Sequence, residues 1–205
     1  TTALQNEVRY LIRLCLDYNL RHFMSDPSLI LPEIKNTAGA LIPVEKGEVT
    51  EHYERIKLLQ AQIFKYGAAI QQHELSENEA RELNHALHAA RYAVAAAKSV
   101  KDVKHNLDEI DENGNSDYFR IFRKRMLDFA TEISSILQQK ESDGIAEKLY
   151  TAGKKLKTED RHFTDTITAA LNKGKLGAPV LSAVLSVNRN LTLSGRQIVL
   201  SIKDL

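Results

Sequence analysis

The sequence predicts an all-α protein of about six helices, and three observations support this fold class. Apolar residues recur at helical spacing in six segments, separated by stretches that are polar or contain Gly or Pro. A capping box, Ser76-x-x-Glu79, precedes the longest segment, which has no Pro or Gly before Gly114. Strand and helix patterns do not alternate, which disfavours a doubly wound sheet. Two antiparallel three-helix units fit the spacing.

The first two predicted helices, over residues 3–24 and 49–72, flank a connection. Residues 25–47 contain three prolines and two glycines among apolar residues, which predicts a connection that follows the surface of the protein. A strand pair in this stretch is the less favoured alternative. The connection contributes five candidate residues for covering the core or for an external contact: Leu29, Ile30, Leu31, Leu41 and Ile42.

The third predicted helix covers residues 76–110 and is rich in alanine. Ala86, Ala93, Val100 and Leu107 recur every seven residues, as expected of the buried stripe of a bundle helix. Small side chains on this stripe leave room for a neighbouring helix to approach closely. We therefore expect four residues to be buried against neighbouring helices: Ala90, Ala97, Val100 and Leu107.

Three further helices are predicted after a polar turn at residues 111–115. Ser116 is a suitable N-cap for a helix over residues 117–140, and a second helix covers residues 145–172. Pro179 suits the first turn of a last helix, which we favour over a strand although residues 191–194 alternate. This organisation predicts a boundary between two halves near residues 111–116.

Composition excludes several classes of protein. With 28 basic and 27 acidic residues the net charge is +1, so the chain lacks the overall positive charge of a nucleic-acid binder. Cys15 is the only cysteine, which excludes an internal disulfide framework and fits a reducing compartment. Its position between Leu14 and Leu16 favours a packed thiol over a nucleophile.

The sequence also lacks an apolar run of the ~20 residues that a membrane-spanning helix needs, and an N-terminal signal pattern. The sequence begins at Thr1 without methionine and ends within a helical pattern. We therefore expect a piece of a longer chain whose membrane portion lies outside it.

Candidate metal and anion sites are weak. Glu82, His85 and His88 share a helix face, and so do Asp102, Asn106 and Glu109, but a solvated face is favoured for both sets. A basic edge for phosphate or an acidic partner would use four residues, again with a solvated face favoured: Arg91, Lys98, Lys101 and Lys104.

Signatures of catalysis are absent from the sequence. It has no phosphate-cradling glycine loop and no nucleophile elbow. The consecutive residues 159–162, Glu-Asp-Arg-His, point in successive directions around a helix and should not converge as an acid–base set. We predict that the chain is not an enzyme, and we name no catalytic residue.

Three segments carry a resemblance to a known family. Residues 50–56 (Thr-Glu-His-Tyr-Glu-Arg-Ile), residues 91–107 and residues 188–205 resemble the PhoU-like C-terminal domain of bacterial sodium/phosphate cotransporter family proteins. The resemblance covers about residues 47–205, which would form the PhoU-like domain, and leaves residues 1–46 as a helix and its connection. The resemblance implies a pair of antiparallel three-helix bundles on the cytoplasmic face of the inner membrane. It also implies that the partner is the membrane transporter portion of the same polypeptide and that the domain regulates phosphate transport.

Stand-alone members of the PhoU family offer the alternative, a metal-binding regulator of phosphate uptake and signalling. Their metal clusters use a repeated acidic motif, whose first copy falls here on Lys101 and His105, and no acidic residue occurs from Thr166 to Lys203. Carboxylate oxygens are needed to hold such a cluster, so we name no metal ligand and no cofactor. The sensed ligand and a homo-oligomeric state are left open.

Overall fold

The computed structural model describes residues 2–31, 49–112, 116–139, 144–174 and 177–205. These residues form seven α-helices and a three-residue 3-10 helix at Pro27–Leu29. The α-helices are α1 (Thr2–Leu20), α2 (Val49–Ile70), α3 (Glu77–Asp102), α4 (Lys104–Glu112), α5 (Ser116–Gln138), α6 (Ile145–Asn172) and α7 (Ala178–Lys203). No strand occurs in the described ranges, which confirms the all-α fold class and the helical reading of residues 191–194.

All six predicted helices are present, but the third is divided at Val103. The amide of Val103 donates to the Val100 carbonyl at 3.2 Å, a tighter i to i−3 turn than that of an α-helix. The α-helical pattern resumes when Leu107 donates to the Val103 carbonyl at 3.0 Å. The predicted helix over residues 76–110 is therefore two consecutive helices, α3 and α4.

The capping box that starts α3 is confirmed. The Ser76 amide donates to Glu79 Oε2 at 2.9 Å, and the Glu79 amide donates to Ser76 Oγ at 3.3 Å. The hydrogen bonds from Ser76 to the Glu79 carboxylate hold the pKa of this group below its usual value. Each residue satisfies a backbone amide that the first helical turn leaves without a partner.

The chain forms two compact units. Unit 1 consists of Thr1–Ala97 and Gln197–Leu205, and unit 2 consists of Lys98–Arg196, so the division passes within α3 and α7. The half boundary predicted near 111–116 falls partly on residues 113–115, which lie outside the described residues, and it stays a prediction. The predicted boundary at residue 46 also lies outside them.

Unit 1 is built on close contacts between small residues and aromatic rings. α1 packs on α2, where the rings of Tyr18 and Tyr53 have centroids 5.6 Å apart. α3 contributes a face of fully or nearly buried alanines, and the Ser201 hydroxyl donates to the Ala89 carbonyl at 2.6 Å. The predicted burial is confirmed at Ala90 and Ala97, and in unit 2 at Val100 and Leu107.

In unit 2, α5 packs on both α4 and α6. The rings of Phe122 and Phe163 have centroids 5.1 Å apart between α5 and α6. Leu156 of α6 lies against Gly195 of α7 so closely that a Cβ atom at Gly195 would be 2.8 Å from Leu156 Cδ1. Helix α6 therefore packs on α5 through Phe163 and on α7 through Leu156.

Candidate functional site

A polar group that links three helices lies in unit 2 and centres on Arg125 of α5. Its Nη1 donates to Asn188 Oδ1 at 2.6 Å, and its Nη2 donates to Thr192 Oγ1 at 3.3 Å, both on α7. Its Nε donates to Glu159 Oε2 of α6 at 3.4 Å. One guanidinium group therefore links three helices.

Asp160 of α6 completes this group, which we call the Arg125 cluster: Arg125, Glu159, Asp160, Asn188 and Thr192. Asp160 Oδ1 accepts from Asn188 Nδ2 at 2.6 Å and from the Thr192 hydroxyl at 3.4 Å. Asn188 and Thr192 thus each accept from Arg125 and donate to Asp160. The polar groups of the cluster satisfy one another.

The electrostatics of the cluster favour a charged guanidinium. Burial lowers the pKa of Arg125, and the carboxylates of Glu159 and Asp160 oppose that change. An arginine stays protonated at any ordinary pH, so the cluster holds one cation and two carboxylate side chains. The guanidinium carbon also lies 5.9 Å from the centre of the Phe163 ring, a cation–π contact.

A small cavity adjoins the cluster. Its volume is about 10 Å³, and it is lined by Arg125, Met126, Phe129, Leu156 and Leu191. A space of this size holds about one water molecule. The cavity does not admit an organic substrate, and the arrangement ties helices together rather than presenting a reactive group.

Arg125 was not among the predicted site residues, although its position on the helix is a signal in the sequence. Arg125 comes three residues after Phe122 and four before Phe129, on the apolar stripe of α5. Asn188 likewise follows Val184 by one turn on the buried stripe of α7. A polar residue on the buried stripe of a helix needs a hydrogen-bond partner. Applied to the sequence, this rule predicts that Arg125 and Asn188 each bond to another helix.

Unit 1 also contains a polar contact at Asp17, which is buried. Arg21 Nε donates to Asp17 Oδ2 at 2.7 Å, one turn away on α1. His52 Nδ1 of α2 lies 3.9 Å from the same oxygen. The Arg21–Asp17 hydrogen bond lies within one helix, whereas the hydrogen bonds of the Arg125 cluster join three helices.

The candidate metal sites are not assembled in the described part of the chain. Glu82, His85 and His88 are exposed on α3, and the described residues contain no group of three or more His, Cys, Asp or Glu side chains placed to hold a metal ion. Of the second set, Asp102 lies before the break at Val103 and pairs with Lys98 at 3.1 Å, whereas Asn106 and Glu109 lie on α4.

The predicted basic edge is largely engaged by local partners. The Arg91 guanidinium carbon lies 5.2 Å from the centre of the Phe64 ring. Lys98 pairs with Asp102, and Lys104 pairs with Asp108 at 2.7 Å. Lys101 and His105, where the resemblance places the first acidic motif, are exposed on either side of the break.

The side chains of residues 159–162 do not converge as a set of four. Arg161 and His162 are exposed, as expected from their helical positions. Glu159 and Asp160, however, both join the Arg125 cluster, because neighbouring helices α5 and α7 approach α6 from two sides. The sequence did not predict that shared role.

Two further predictions concern apolar positions. Cys15 is fully buried, which confirms the packed thiol, and burial raises the pKa of that thiol far above its usual value. In the connection, Leu31 is buried and Leu29 is 82% exposed. Leu41 and Ile42 lie outside the described residues.

Comparison with family models, curated proteins and solved structures found no match for this chain. Among the described residues, no helix has both the length and the apolar character needed to cross a membrane.

Proposed function

We propose that this chain is the PhoU-like regulatory domain of a sodium-dependent phosphate transporter, acting at the cytoplasmic face of the inner membrane. The observation that carries the proposal is the resemblance of residues 91–107 to that family. In the structure this segment is helical on both sides of Val103, with its alanines mostly buried and most of its charged side chains exposed.

The site geometry supports a role in regulation over one in catalysis. The Arg125 cluster satisfies its own hydrogen bonds, and its cavity has room for about one water molecule. A domain of this kind influences transport through contacts that differ between transport states, since equal binding to both states shifts nothing. We propose that the partner is the membrane portion of the same polypeptide.

The test is sodium-driven phosphate uptake in vesicles that contain the parent transporter with or without residues 1–205. We expect a folded membrane portion with an altered rate or affinity of uptake, because the ion pathway lies outside this domain. Identical rate and affinity at matched protein levels would reject the regulatory role.

Elemental analysis distinguishes the proposed function from the alternative, a stand-alone metal-binding PhoU-type regulator. Lys101 replaces the leading acid of the first motif, and α7 contains no acidic residue, so we expect no stoichiometric iron or zinc in the purified chain. Several tightly held metal ions per chain would favour the alternative.

A further inference from the structure

Helices α6 and α7 of unit 2 are antiparallel neighbours, and their contacts define which side chains face outward. Leu156 lies against Gly195, while Asp160, four residues later on α6, contacts Asn188 and Thr192, which come earlier on α7. Residue numbers at the contacts therefore rise along α6 while they fall along α7, so the two helices run in opposite directions.

Basic residues follow directly after these contact residues on both helices. Lys157 follows Leu156 and Arg161 follows Asp160 on α6. On α7, Arg189 follows Asn188, and Arg196 follows Gly195. A fifth basic residue, Lys154, precedes Arg161 by seven residues and so shares its side of α6.

This pattern places both sets of basic residues on one side of the helix pair. One step along an α-helix turns the side-chain direction by about 100°. Because α6 and α7 run in opposite directions, the residue that follows a facing residue on α6 and the residue that follows a facing residue on α7 point to the same side of the helix pair. We call this surface the basic patch, and it consists of Lys154, Lys157, Arg161, Arg189 and Arg196.

The basic patch is exposed and its charges are not neutralised locally. All five side chains are exposed, and none has an ion-pair partner among the residues that the structure describes. Glu159 accepts from Arg125 instead, and Asp160 accepts from Asn188 and Thr192. Of the acidic residues on the outer side of α6, Asp165 comes one turn after Arg161 and Glu147 comes seven residues before Lys154, and neither forms an ion pair with a described residue of the patch.

Three exposed lysines elsewhere in the chain differ in this respect. Lys57 pairs with Glu54 at 2.8 Å, and Lys104 pairs with Asp108 at 2.7 Å. Lys124 also pairs with Asp128. A variant that lacks these three lysines therefore controls for the loss of three positive charges from the basic patch.

We propose that the basic patch binds the surface of a membrane that contains anionic phospholipids. The patch extends about 10 Å along each helix, and packed helices lie about 8–10 Å apart, so its cations form two rows. Two rows of cations match a planar array of phosphate groups better than the single line of charges on an extended acidic peptide. Basic side chains near such a surface each strengthen binding about fivefold.

Two uncharged side chains on the same surface suit a membrane interface. Tyr150, seven residues before Lys157, is 72% exposed, and Leu193, which follows Thr192, is 41% exposed. Aromatic and aliphatic side chains beside basic residues are typical of interfacial binding. This inference deepens the proposed function, on which it rests for the presence of a nearby membrane.

The experiment measures co-sedimentation of the purified chain with vesicles of phosphatidylcholine alone or with about one third phosphatidylglycerol, near 0.1 M salt. The test variant is Lys154→Gln, Lys157→Gln and Arg161→Gln combined, and the control is Lys57→Gln, Lys104→Gln and Lys124→Gln combined. Circular dichroism and melting establish that both variants fold. A second test variant combines Arg189→Gln with Arg196→Gln on α7.

We expect binding only to the anionic vesicles, a loss on the order of a hundredfold in the first test variant, and only a small loss in the control. The second test variant should lose binding on the order of tenfold. Failure to bind anionic vesicles, or equal losses in test and control variants, would overturn the proposal. Tighter binding to a polyglutamate peptide than to the vesicles would also overturn it and assign an acidic protein as partner. Phosphate uptake with and without the domain remains a separate test of the proposed function.

Discussion

Different kinds of contact occur inside each of the two units of this chain. In unit 1, α3 buries a face of alanines, and Arg21 donates to Asp17 on the same helix at 2.7 Å. In unit 2, Arg125 bonds to Glu159, Asn188 and Thr192 on two other helices. Unit 1 should therefore be sensitive to side-chain size, and unit 2 to the loss of one charged group.

The largest expected effect is that of Arg125→Met in unit 2. The substitution leaves the carboxylates of Glu159 and Asp160 without their cation in a partly buried position, and we expect it to lower the free energy of unfolding by about 3 kcal/mol. Chemical denaturation measures this change.

Arg120→Met is the matched control on the same helix. Arg120 is exposed and pairs with Asp117 one turn away, so its loss should cost less than about 1 kcal/mol. Equal losses in the two variants would show that the Arg125 cluster does not tie the helices of unit 2.

A second effect should appear in unit 1 with Ala93→Leu or Ala97→Leu. Both alanines are fully buried, so a larger side chain overpacks the contact and should cost about 1–3 kcal/mol. Ala61→Leu on the exposed side of α2 is the control and should change stability by less than about 0.5 kcal/mol. Unchanged melting in both core variants would contradict close packing of α3.

The sequence predicted those parts of the fold that depend on local spacing. The six helical segments, the Ser76 capping box and the burial of Ala90 and Ala97 follow from periodicity and turn chemistry within a few residues. The break at Val103 was not predicted, because neither Pro nor Gly marks it. Arg125 and Asn188 are 63 residues apart, and their pairing depends on the register between α5 and α7.

Sensitivity to side-chain size is not confined to the alanine face of unit 1, because each unit also has a glycine packed against a leucine of a neighbouring helix. A Cβ atom at Gly67 would lie 2.9 Å from Leu87 Cδ2, and one at Gly195 would lie 2.8 Å from Leu156 Cδ1. Leu87 is half-buried and has room to move, whereas Leu156 is buried.

We therefore expect Gly67→Ala to raise the free energy of unfolding by up to about 1 kcal/mol, through the higher helix propensity of alanine. Gly195→Ala should lower it by about 1 kcal/mol, because overpacking exceeds that gain. Thermal or urea unfolding of both variants tests this difference, and a change of the same sign in both would remove the distinction between the sites.

The smallest expected effect concerns the helix start in unit 1. The hydrogen bonds from Ser76 hold the pKa of Glu79 below 4.5, so the stability they contribute is fully present above pH 4.5 and is lost as the pH falls through the lowered value. Melting temperatures of the unmodified chain and Glu79→Gln should differ at neutral pH and converge in acid.

Glu82→Gln, on the exposed face of the same helix, serves as the control for this prediction. A pH dependence in that control as large as the one in Glu79→Gln would assign the effect to general surface charge. In unit 2, α6 begins after Gly144 without a side-chain cap, so its start offers no counterpart to the acid-sensitive capping box.

The central claim is that the folded helical units, and not merely an attached polypeptide, regulate phosphate uptake. The most direct measurement is sodium-driven phosphate uptake in vesicles by the parent transporter carrying Arg125→Met, beside Arg120→Met and the version without residues 1–205. We expect Arg125→Met to shift uptake toward that of the version without the domain, and Arg120→Met to leave uptake unchanged. The proposed regulation would be contradicted if the Arg125→Met transporter took up phosphate as the unmodified transporter does, at a temperature where unit 2 of the variant is measurably destabilised.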